Sequence, residues 1–244
     1  MDRWKLTFEY EGTHFSGWQK QPEGRTVEGV IEEAFSTLYQ TEIDIIGQGR
    51  TDAGVHAKSQ VAHADLPGSF DEHRILHAMR GLLPEDVALL SAEKTDPDFH
   101  ARFGAKSRSY CYQVSVRKTP LNRHLVWVHG AAFDEHSLNN CAGLIIGEHN
   151  FMNFCIPHED EHATTVCLVN RSEWKREGEL WIYRIEANRF LRHMVRRLVG
   201  TMVKVADGSV TMETFKKLLS AVPVQRKGHA APAHGLILEK VDYV

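Results

Sequence analysis

A glycine-bearing segment, residues 47–57, brings a carboxylate and a guanidinium close together among small residues. It holds three glycines within eight positions, and Asp52 follows Arg50 by two residues. Glycine lets the backbone bend and approach a ligand closely, so Asp52 could act as a nucleophile or a general base. The alternative is a bulged hairpin in which both side chains are solvated. The pattern GxxxxGK[ST] is absent, so the segment is not a phosphate loop.

Basic residues cluster at 100–108 and at 189–197 in a chain whose net charge is −3. Bulk charge therefore does not indicate nucleic-acid binding, but these local patches could hold phosphates. Tyr110 follows the first patch, and an aromatic ring beside positive charge is typical of nucleic-acid sites. The alternative is a tyrosine packed in the core. The candidate phosphate contacts are Arg102, Lys106, Arg108, Arg189, Arg192 and Arg197.

A third group of side chains has spacing that would suit zinc. Cys155, His158 and His162 follow a C-x2-H-x3-H pattern, with His149 nearby. The acidic residues 159–161 between the histidines indicate a solvated loop instead, and no CxxC pair supports a closed site. We therefore expect no bound metal and keep a metal-dependent hydrolase as an alternative.

Hydropathy patterns in the first half predict strands and helices in alternation. Apolar and polar residues alternate over 4–10, which predicts a strand, and apolar residues at helical spacing predict a helix over 27–38 with Thr26 as its N-cap. Segment 47–57 connects the two arms of a predicted hairpin. The other elements predicted in this half are strands at 42–46, 58–64 and 87–93 and a helix at 73–80.

The second half repeats this order of elements. Tyr110, Tyr112, Val114 and Val116 share one face of a predicted strand, and apolar spacing predicts a helix around 138–145. We therefore expect an α+β chain with two similar domains, residues 1–104 and 105–244. The remaining predicted elements are a hairpin of 166–175 with 180–187, helices beginning near Phe190 and at 211, and a closing strand at 236–243.

The predicted helix beginning near Phe190 carries candidates for a cationic partner. An ionised carboxylate in a closing pocket needs such a partner, and arginine stays protonated and can pair bidentately. At about 100° per residue, the apolar stripe leaves His193 and Arg197 pointing away, while Arg192 and Arg196 flank it. The helix pattern thus favours Arg192 or Arg196 over Arg197. A solvated basic helix face is the alternative.

Composition bounds the class of protein. The chain has 244 residues, 42% hydrophobic and 25% charged, as in an ordinary folded protein. Its longest apolar runs are far shorter than the roughly 18 residues of a membrane span, and its N-terminus lacks the pattern of a secretory signal. The four cysteines include no CxxC pair, so we expect a reduced, cytoplasmic compartment and no membrane partner.

Five blocks of sequence resemble the TruA family of tRNA pseudouridine synthases. They are GRTDAGVHA, FSGWQ, RSYCY, FLRHMVR and HGL, which occur in family order and span nearly the whole chain. The resemblance implies two ferredoxin-like (RRM-like) halves with mixed antiparallel sheets and a central active-site cleft. It places Asp52 in the N-terminal half, and Tyr110 and Arg196 in the C-terminal half.

The resemblance also implies a function. We expect an isomerase that converts uridines 38, 39 and 40 of the tRNA anticodon arm to pseudouridine, as a homodimer and without a cofactor. Asp52 would be the catalytic aspartate, Arg196 its partner, and Tyr110 would stack on the target uracil; Arg50 would help open the stem and hold out the flipped nucleotide. A non-catalytic tRNA-binding protein or chaperone is the alternative, although the intact catalytic residues argue against it.

Overall fold

The computed structural model describes residues 1–157, 163–220, 222–225 and 227–243. Mostly antiparallel strands and five α-helices make up this part of the chain, so the expected α+β class is confirmed. The helices are α1 (Val27–Tyr39), α2 (Glu72–Leu82), α3 (Glu135–Leu144), α4 (Met194–Ala206) and α5 (Met212–Leu219). The strands are β1 (Asp2–Tyr10), β2 (Ile46–Gly47), β3 (His56–Leu66), β4 (Val87–Lys94), β5 (Ser107–Ser115), β6 (Trp127–Val128), β7 (Gly147–Asn150), β8 (Val166–Glu177), β9 (Leu180–Ala187) and β10 (Leu236–Asp242).

The chain divides into two compact units. Unit 1 is Met1–Lys106 together with the segment from Ile237 onward, and unit 2 is Ser107–Leu236. The closing strand thus returns to the first unit. The predicted domains, 1–104 and 105–244, and their ferredoxin-like character stay predictions. Within the described part of the chain, no helix combines the length and apolar character needed to cross a membrane.

Unit 1 is built around β1. This strand pairs antiparallel with β3 on one side and β4 on the other, while β2 and β10 both add to β3. The predicted inward face of β1 is buried, because Trp4, Leu6, Phe8 and Tyr10 are all nearly inaccessible to solvent. Helix α1 has the predicted N-cap, since the Thr26 side chain accepts the Gly29 backbone N–H.

Of the strand predicted at 42–46, only Ile46 lies in a strand, the short β2. The Ile43 N–H donates to Ser36 Oγ at 3.0 Å, and the Ile45 N–H donates to Glu32 Oε1 at 3.3 Å. Both isoleucines are buried. Side chains of α1 therefore take the backbone donors that a strand ladder would have used.

Unit 2 is an antiparallel sheet of β5, β9, β8 and β7 in that spatial order, with β6 parallel to β5. Its core includes Tyr112, Trp174 and Tyr183. The predicted strand face ends at Val114, because β5 stops at Ser115. The hydroxyl of Ser115 accepts the Arg117 N–H at 3.2 Å and donates to the Arg117 carbonyl at 2.9 Å, which turns the chain.

Helix α4 begins at Met194 rather than near Phe190. His193 adopts a left-handed conformation with φ of 65°, the Met194 N–H donates to the Leu191 carbonyl, and the Arg192 carbonyl accepts the Ile156 N–H. A turn therefore precedes the helix, and Arg192 lies on that turn. The prediction that Arg192 flanks the helical stripe is wrong.

Candidate active site

The loop that carries Asp52 is an ordered part of unit 1. The Gln48 N–H donates to the Val61 carbonyl at 2.8 Å, and Gln60 Nε2 donates to the Gly49 carbonyl at 2.9 Å. The Val55 N–H closes a turn onto the Asp52 carbonyl at 3.1 Å. Asp52 itself is half-buried. Its carboxylate therefore projects from a loop whose backbone is fixed on both sides.

Thr51, immediately before Asp52, is held at two points. Its hydroxyl lies 2.8 Å from the Tyr10 hydroxyl in a buried hydrogen bond, and its carbonyl accepts the Trp18 N–H at 3.1 Å. These bonds tie the loop to β1 and to the FSGWQ block. They fix the point from which the Asp52 side chain leaves the backbone.

Glycines allow the FSGWQ segment to lie against the Asp52 loop. Gly17 has φ of +100°, and a Cβ there would lie 2.8 Å from the Thr51 carbonyl oxygen. A Cβ on Gly47 would lie 2.6 Å from the Trp18 ring, and one on Gly12 would overlap the Val55 carbonyl. The sequence identified the FSGWQ block but not this supporting role. The feature that could have indicated this role is the Gly17–Trp18 pair within a mostly polar loop.

Glu28 fixes the Trp18 ring from α1. Its carboxylate accepts the Trp18 indole N–H at 3.1 Å and the Lys20 N–H at 2.7 Å. Burial raises the pKa of the Glu28 carboxyl above its ordinary value, while these hydrogen bonds and the positive charge of Arg50 act in the opposite direction. Arg50 is exposed. No sequence pattern indicated the contact between Glu28 and Trp18.

His56, for which sequence reasoning found no role, holds the neighbouring loop. It is buried, and its Nδ1 accepts the Gly12 N–H at 2.9 Å. An accepting Nδ1 carries no proton, so the 3.5 Å approach of Glu11 Oε1 to the same atom is not an ion pair. His56 therefore positions the Gly12 turn against the Asp52 loop.

In unit 2, Tyr110 lies on β5 with 9% of its surface exposed. Its ring meets Phe190 edge to face, with ring centroids 5.1 Å apart. Phe190 belongs to the FLRHMVR block, so two of the blocks come together within this unit. The contact holds the Tyr110 ring, and the residue as a whole is buried.

Arg196 and Arg197 occupy the first turn of α4, and both are half-buried. Arg196 Nε donates to the Ala231 carbonyl at 2.9 Å, and Arg197 Nη1 donates to the Gly228 carbonyl at 2.6 Å. Arg197 Nε is buried without a hydrogen-bond partner in the described structure. The prediction that Arg197 points away from the packed face is wrong, because residues 228–231, here called the strap, cover both arginines.

The strap is locked onto α4 by two small residues. Thr201 Oγ1 donates to the Arg197 carbonyl at 2.6 Å and accepts the His229 N–H at 3.0 Å. A Cβ on Gly200 would overlap the His229 carbonyl oxygen and lie 2.7 Å from the Ala231 nitrogen. These contacts join residues about 30 positions apart, so no local pattern could have revealed them.

The predicted phosphate contacts fall into two groups. Arg108 and Arg197 are half-buried, and each already donates to a backbone carbonyl. The Arg108 bond runs from Nη1 to the Asn188 carbonyl at 2.9 Å. The other four are exposed: Arg102 and Lys106 in unit 1, and Arg189 and Arg192 in unit 2. The pairing of Asp52 with Arg196 stays a prediction.

The alternative metal site finds no support in the described residues. Cys155 Sγ contacts the Met152 carbonyl, and burial raises the pKa of its thiol. His149 Nε2 lies 3.1 Å from the Ile146 carbonyl, while His158 and His162 lie outside the described residues. Across the described ranges, no group of three or more His, Cys, Asp and Glu side chains could hold a metal ion.

Comparison with known proteins gives concordant results. A family model described as tRNA pseudouridine synthase matches residues 6–104 and 141–244, which include Asp52 and Arg196 and exclude Tyr110. A tRNA pseudouridine synthase A of Bacteroides thetaiotaomicron is 37% identical over 100% of this chain and 91% of its own length. Its counterpart in Solidesulfovibrio magneticus is 41% identical over 100% and 92%, and that in Bacillus pumilus 37% identical over 98% of each chain.

Proposed function

The chain belongs to the tRNA pseudouridine synthase family and is an isomerase, and from this premise we propose that it converts uridines 38, 39 and 40 of the tRNA anticodon arm to pseudouridine. The observation that carries the proposal is the Asp52 loop. A half-buried carboxylate leaves a backbone that is fixed by Tyr10, Trp18 and Gln60. Such pre-organisation is what a nucleophile or base needs in order to meet a bound substrate.

The proposed reaction balances without a cofactor. The glycosidic N1–C1′ bond of uridine breaks, a C5–C1′ bond forms, C5 loses its proton and N1 gains one. No electrons enter or leave overall, so neither oxidant nor reductant is consumed. The role of Asp52 is to attack as a nucleophile or to remove a proton, and either role requires its ionised form.

Arg196 is proposed as the partner of Asp52. A guanidinium stays protonated, and the bond from Nε to the Ala231 carbonyl fixes its plane. A fixed planar fork suits a bidentate contact with a carboxylate. The FLRHMVR block that contains Arg196 also supports this assignment.

The target base must leave the stacked arm before its glycosidic carbon can be reached. We propose that Tyr110, held edge-on by Phe190, stacks on the flipped uracil. Arg50 is exposed on the Asp52 loop and is proposed to hold the nucleotide out of the stem. The exposed Arg102, Lys106, Arg189 and Arg192 are proposed to contact phosphates, which positions the tRNA without reading its sequence.

The organisation of the protein is proposed from the same resemblance. We propose two ferredoxin-like halves, a cytoplasmic location and a homodimer. Exposed apolar side chains on β8 and just before β7 support a subunit interface in unit 2. They are Leu144, Ile146, Val166 and Leu168. Analytical ultracentrifugation of the wild type and Leu168→Asp tests this, since the variant should shift toward monomer; a wild type that sediments as a monomer would contradict the dimer.

Pseudouridine mapping on an unmodified tRNA transcript, with and without the protein, tests the function. Asp52→Asn and Asp52→Ala should abolish modification while tRNA affinity stays near the wild-type value. Asp44→Asn, which alters an exposed carboxylate of the same unit, is the matched control and should remain active. Wild-type binding without any pseudouridine would favour the non-catalytic tRNA-binding protein. Turnover well above background in either Asp52 variant would overturn the catalytic role of Asp52.

A further inference from the structure

Phe103 displays a large apolar side chain at the surface of unit 1, with 78% of it exposed. A phenylalanine ring left in water loses the favourable free energy that burial would give it. Single exposed apolar residues are nevertheless ordinary, so exposure alone does not indicate function. The backbone and the charges around Phe103 give it further significance.

The turn that carries Phe103 is internally bonded. His100 Nδ1 accepts the N–H groups of both Arg102 and Phe103, at 3.2 and 3.3 Å. The Gly104 N–H donates to the His100 carbonyl at 2.9 Å. One histidine therefore satisfies three successive backbone donors of residues 102–104. A turn bonded in this way presents the Phe103 ring in a defined direction.

The same turn is anchored to buried groups. The Ala101 N–H donates to Nδ1 of the buried His63 at 3.2 Å, and the Ala101 carbonyl accepts the Tyr243 hydroxyl at 2.8 Å. Ala101 is itself fully buried. The exposed ring thus projects from a rigid base, so little conformational entropy is lost when a ligand packs against it.

A guanidinium and an imidazole ring lie beside the Phe103 ring. The Arg102 guanidinium carbon lies 5.7 Å from the Phe103 ring centroid, and the His100 ring lies 4.4 Å away. Lys106 is exposed three residues further on. Positive charge interleaved with an accessible aromatic ring matches a polyanion that also offers flat bases, and it does not match an apolar protein partner.

We propose that Phe103 stacks on an unpaired base of the tRNA substrate while Arg102 and Lys106 attract the flanking phosphates. The inference rests on the proposed function, because that function makes tRNA the partner. Phe103 is the new contact: it lies outside the Asp52 loop and is not one of the predicted phosphate contacts, whereas Arg102 and Lys106 are. Stacking would give affinity that does not depend on salt, alongside the salt-dependent contribution of the arginines and lysines.

Binding of an unmodified tRNA transcript, measured over a range of salt concentrations, separates these contributions. Phe103→Ala should weaken binding roughly 5- to 150-fold, which corresponds to about 1–3 kcal/mol for one stacked base. The slope of log Kd against log salt should not change, because no charge is removed. Phe103→Trp should retain affinity, and Phe103→Leu should lose as much as Phe103→Ala. Arg102→Gln should instead reduce the slope.

Leu90→Ala is the matched control, since Leu90 is 48% exposed in the same unit and should bind as the wild type does. Unchanged affinity in Phe103→Ala would overturn the proposal, as would a changed oligomeric state in ultracentrifugation, which would place Phe103 against protein. A wild type that forms pseudouridine while Phe103→Ala binds normally overturns only the stacking contact. A wild type that binds tRNA through Phe103 without forming pseudouridine retains the contact and overturns only the enzymatic function.

Discussion

Arg196 and Ala231 hold each other through two hydrogen bonds. Arg196 Nε donates to the Ala231 carbonyl, and the Ala231 N–H donates to the Arg196 carbonyl, both at 2.9 Å. The side chain and the backbone of one residue are therefore fixed by a single residue of the strap. This relationship sets the direction of the guanidinium that we propose as the partner of Asp52.

Arg196→Lys should impair catalysis although it keeps the positive charge. Lysine has no Nε in that position and no planar fork, so both the bond to Ala231 and bidentate pairing are lost. A hydrogen bond to a charged group contributes about 1.5–3 kcal/mol, which predicts a roughly 10- to 150-fold lower single-turnover rate. Lys204→Ala, near the end of the same helix, is the control. Full activity in Arg196→Lys with normal folding would contradict the assignment.

Asp52→Ala and Arg196→Ala should not be additive. If both residues serve one step, a protein that lacks Asp52 has already lost that step, so removing Arg196 as well should lower the rate little further. The double variant should therefore form pseudouridine scarcely more slowly than Asp52→Ala alone, measured with excess enzyme over long incubation. Rate losses that multiply would show that the two residues act independently.

The sequence predicted elements wherever one physical effect dominates the local pattern. The alternation of β1 and the Thr26-capped helix α1 follow from burial on one face, and the structure confirms both. A strand was predicted at 42–46, but residues 42–45 do not form one, because Ser36 and Glu32 accept the backbone N–H groups of Ile43 and Ile45. Periodicity records burial and contains no information about such distant side chains.

The candidate site shows the same division. Asp52 could be singled out from its glycine-bearing loop, but groups that fix that loop, such as Tyr10 and Trp18, are distant in sequence. The start of α4 was predicted too early because the apolar stripe extends to Leu191, whereas the left-handed His193 begins the helix later. The strap over Arg197 has no periodic signal, since every one of its hydrogen bonds to α4 uses a backbone group of the strap.

Gly200→Ala should displace the strap. The added methyl group would overlap the His229 carbonyl, and overpacking of this kind costs about 1–3 kcal/mol. We expect a lower free energy of unfolding and a slower single-turnover rate with nearly unchanged tRNA affinity. Gly143→Ala in α3 is the matched control: a Cβ there meets nothing within 4 Å, so helix propensity should stabilise the protein by about 0.5–1 kcal/mol. Equal behaviour of the two variants would contradict the strap's role.

Tyr10→Phe should loosen the Asp52 loop from β1. It removes the buried partner of the Thr51 hydroxyl, and leaving such a group unsatisfied costs about 1–3 kcal/mol. The pseudouridine rate should fall while tRNA affinity holds. Thr51→Val combined with Tyr10→Phe should recover part of the lost stability, because neither polar group then remains unpaired. Chemical denaturation of the four proteins measures this coupling, and strictly additive losses would exclude it.

Protonation of His63 should lower the free energy of unfolding of unit 1 in mild acid. Burial, followed by the nearby charges of His100 and Arg3, lowers its pKa from 6.5 to about 4. The folded protein therefore resists a proton that the unfolded chain accepts, so stability is fully present above pH 6.5 and is lost as the pH falls toward 4. The loss should reach about 2 kcal/mol by pH 5.

The structural consequence follows from the bond that His63 accepts. Protonated Nδ1 cannot accept the Ala101 N–H, so acid should also release the turn that carries Phe103. Urea denaturation at pH 7 and pH 5 should show a smaller difference in His63→Gln than in the wild type, whatever the absolute stability of the variant. His73→Gln, which alters an exposed histidine of α2, should keep the wild-type difference. If His63→Gln retained it as well, another group would be responsible for the acid sensitivity.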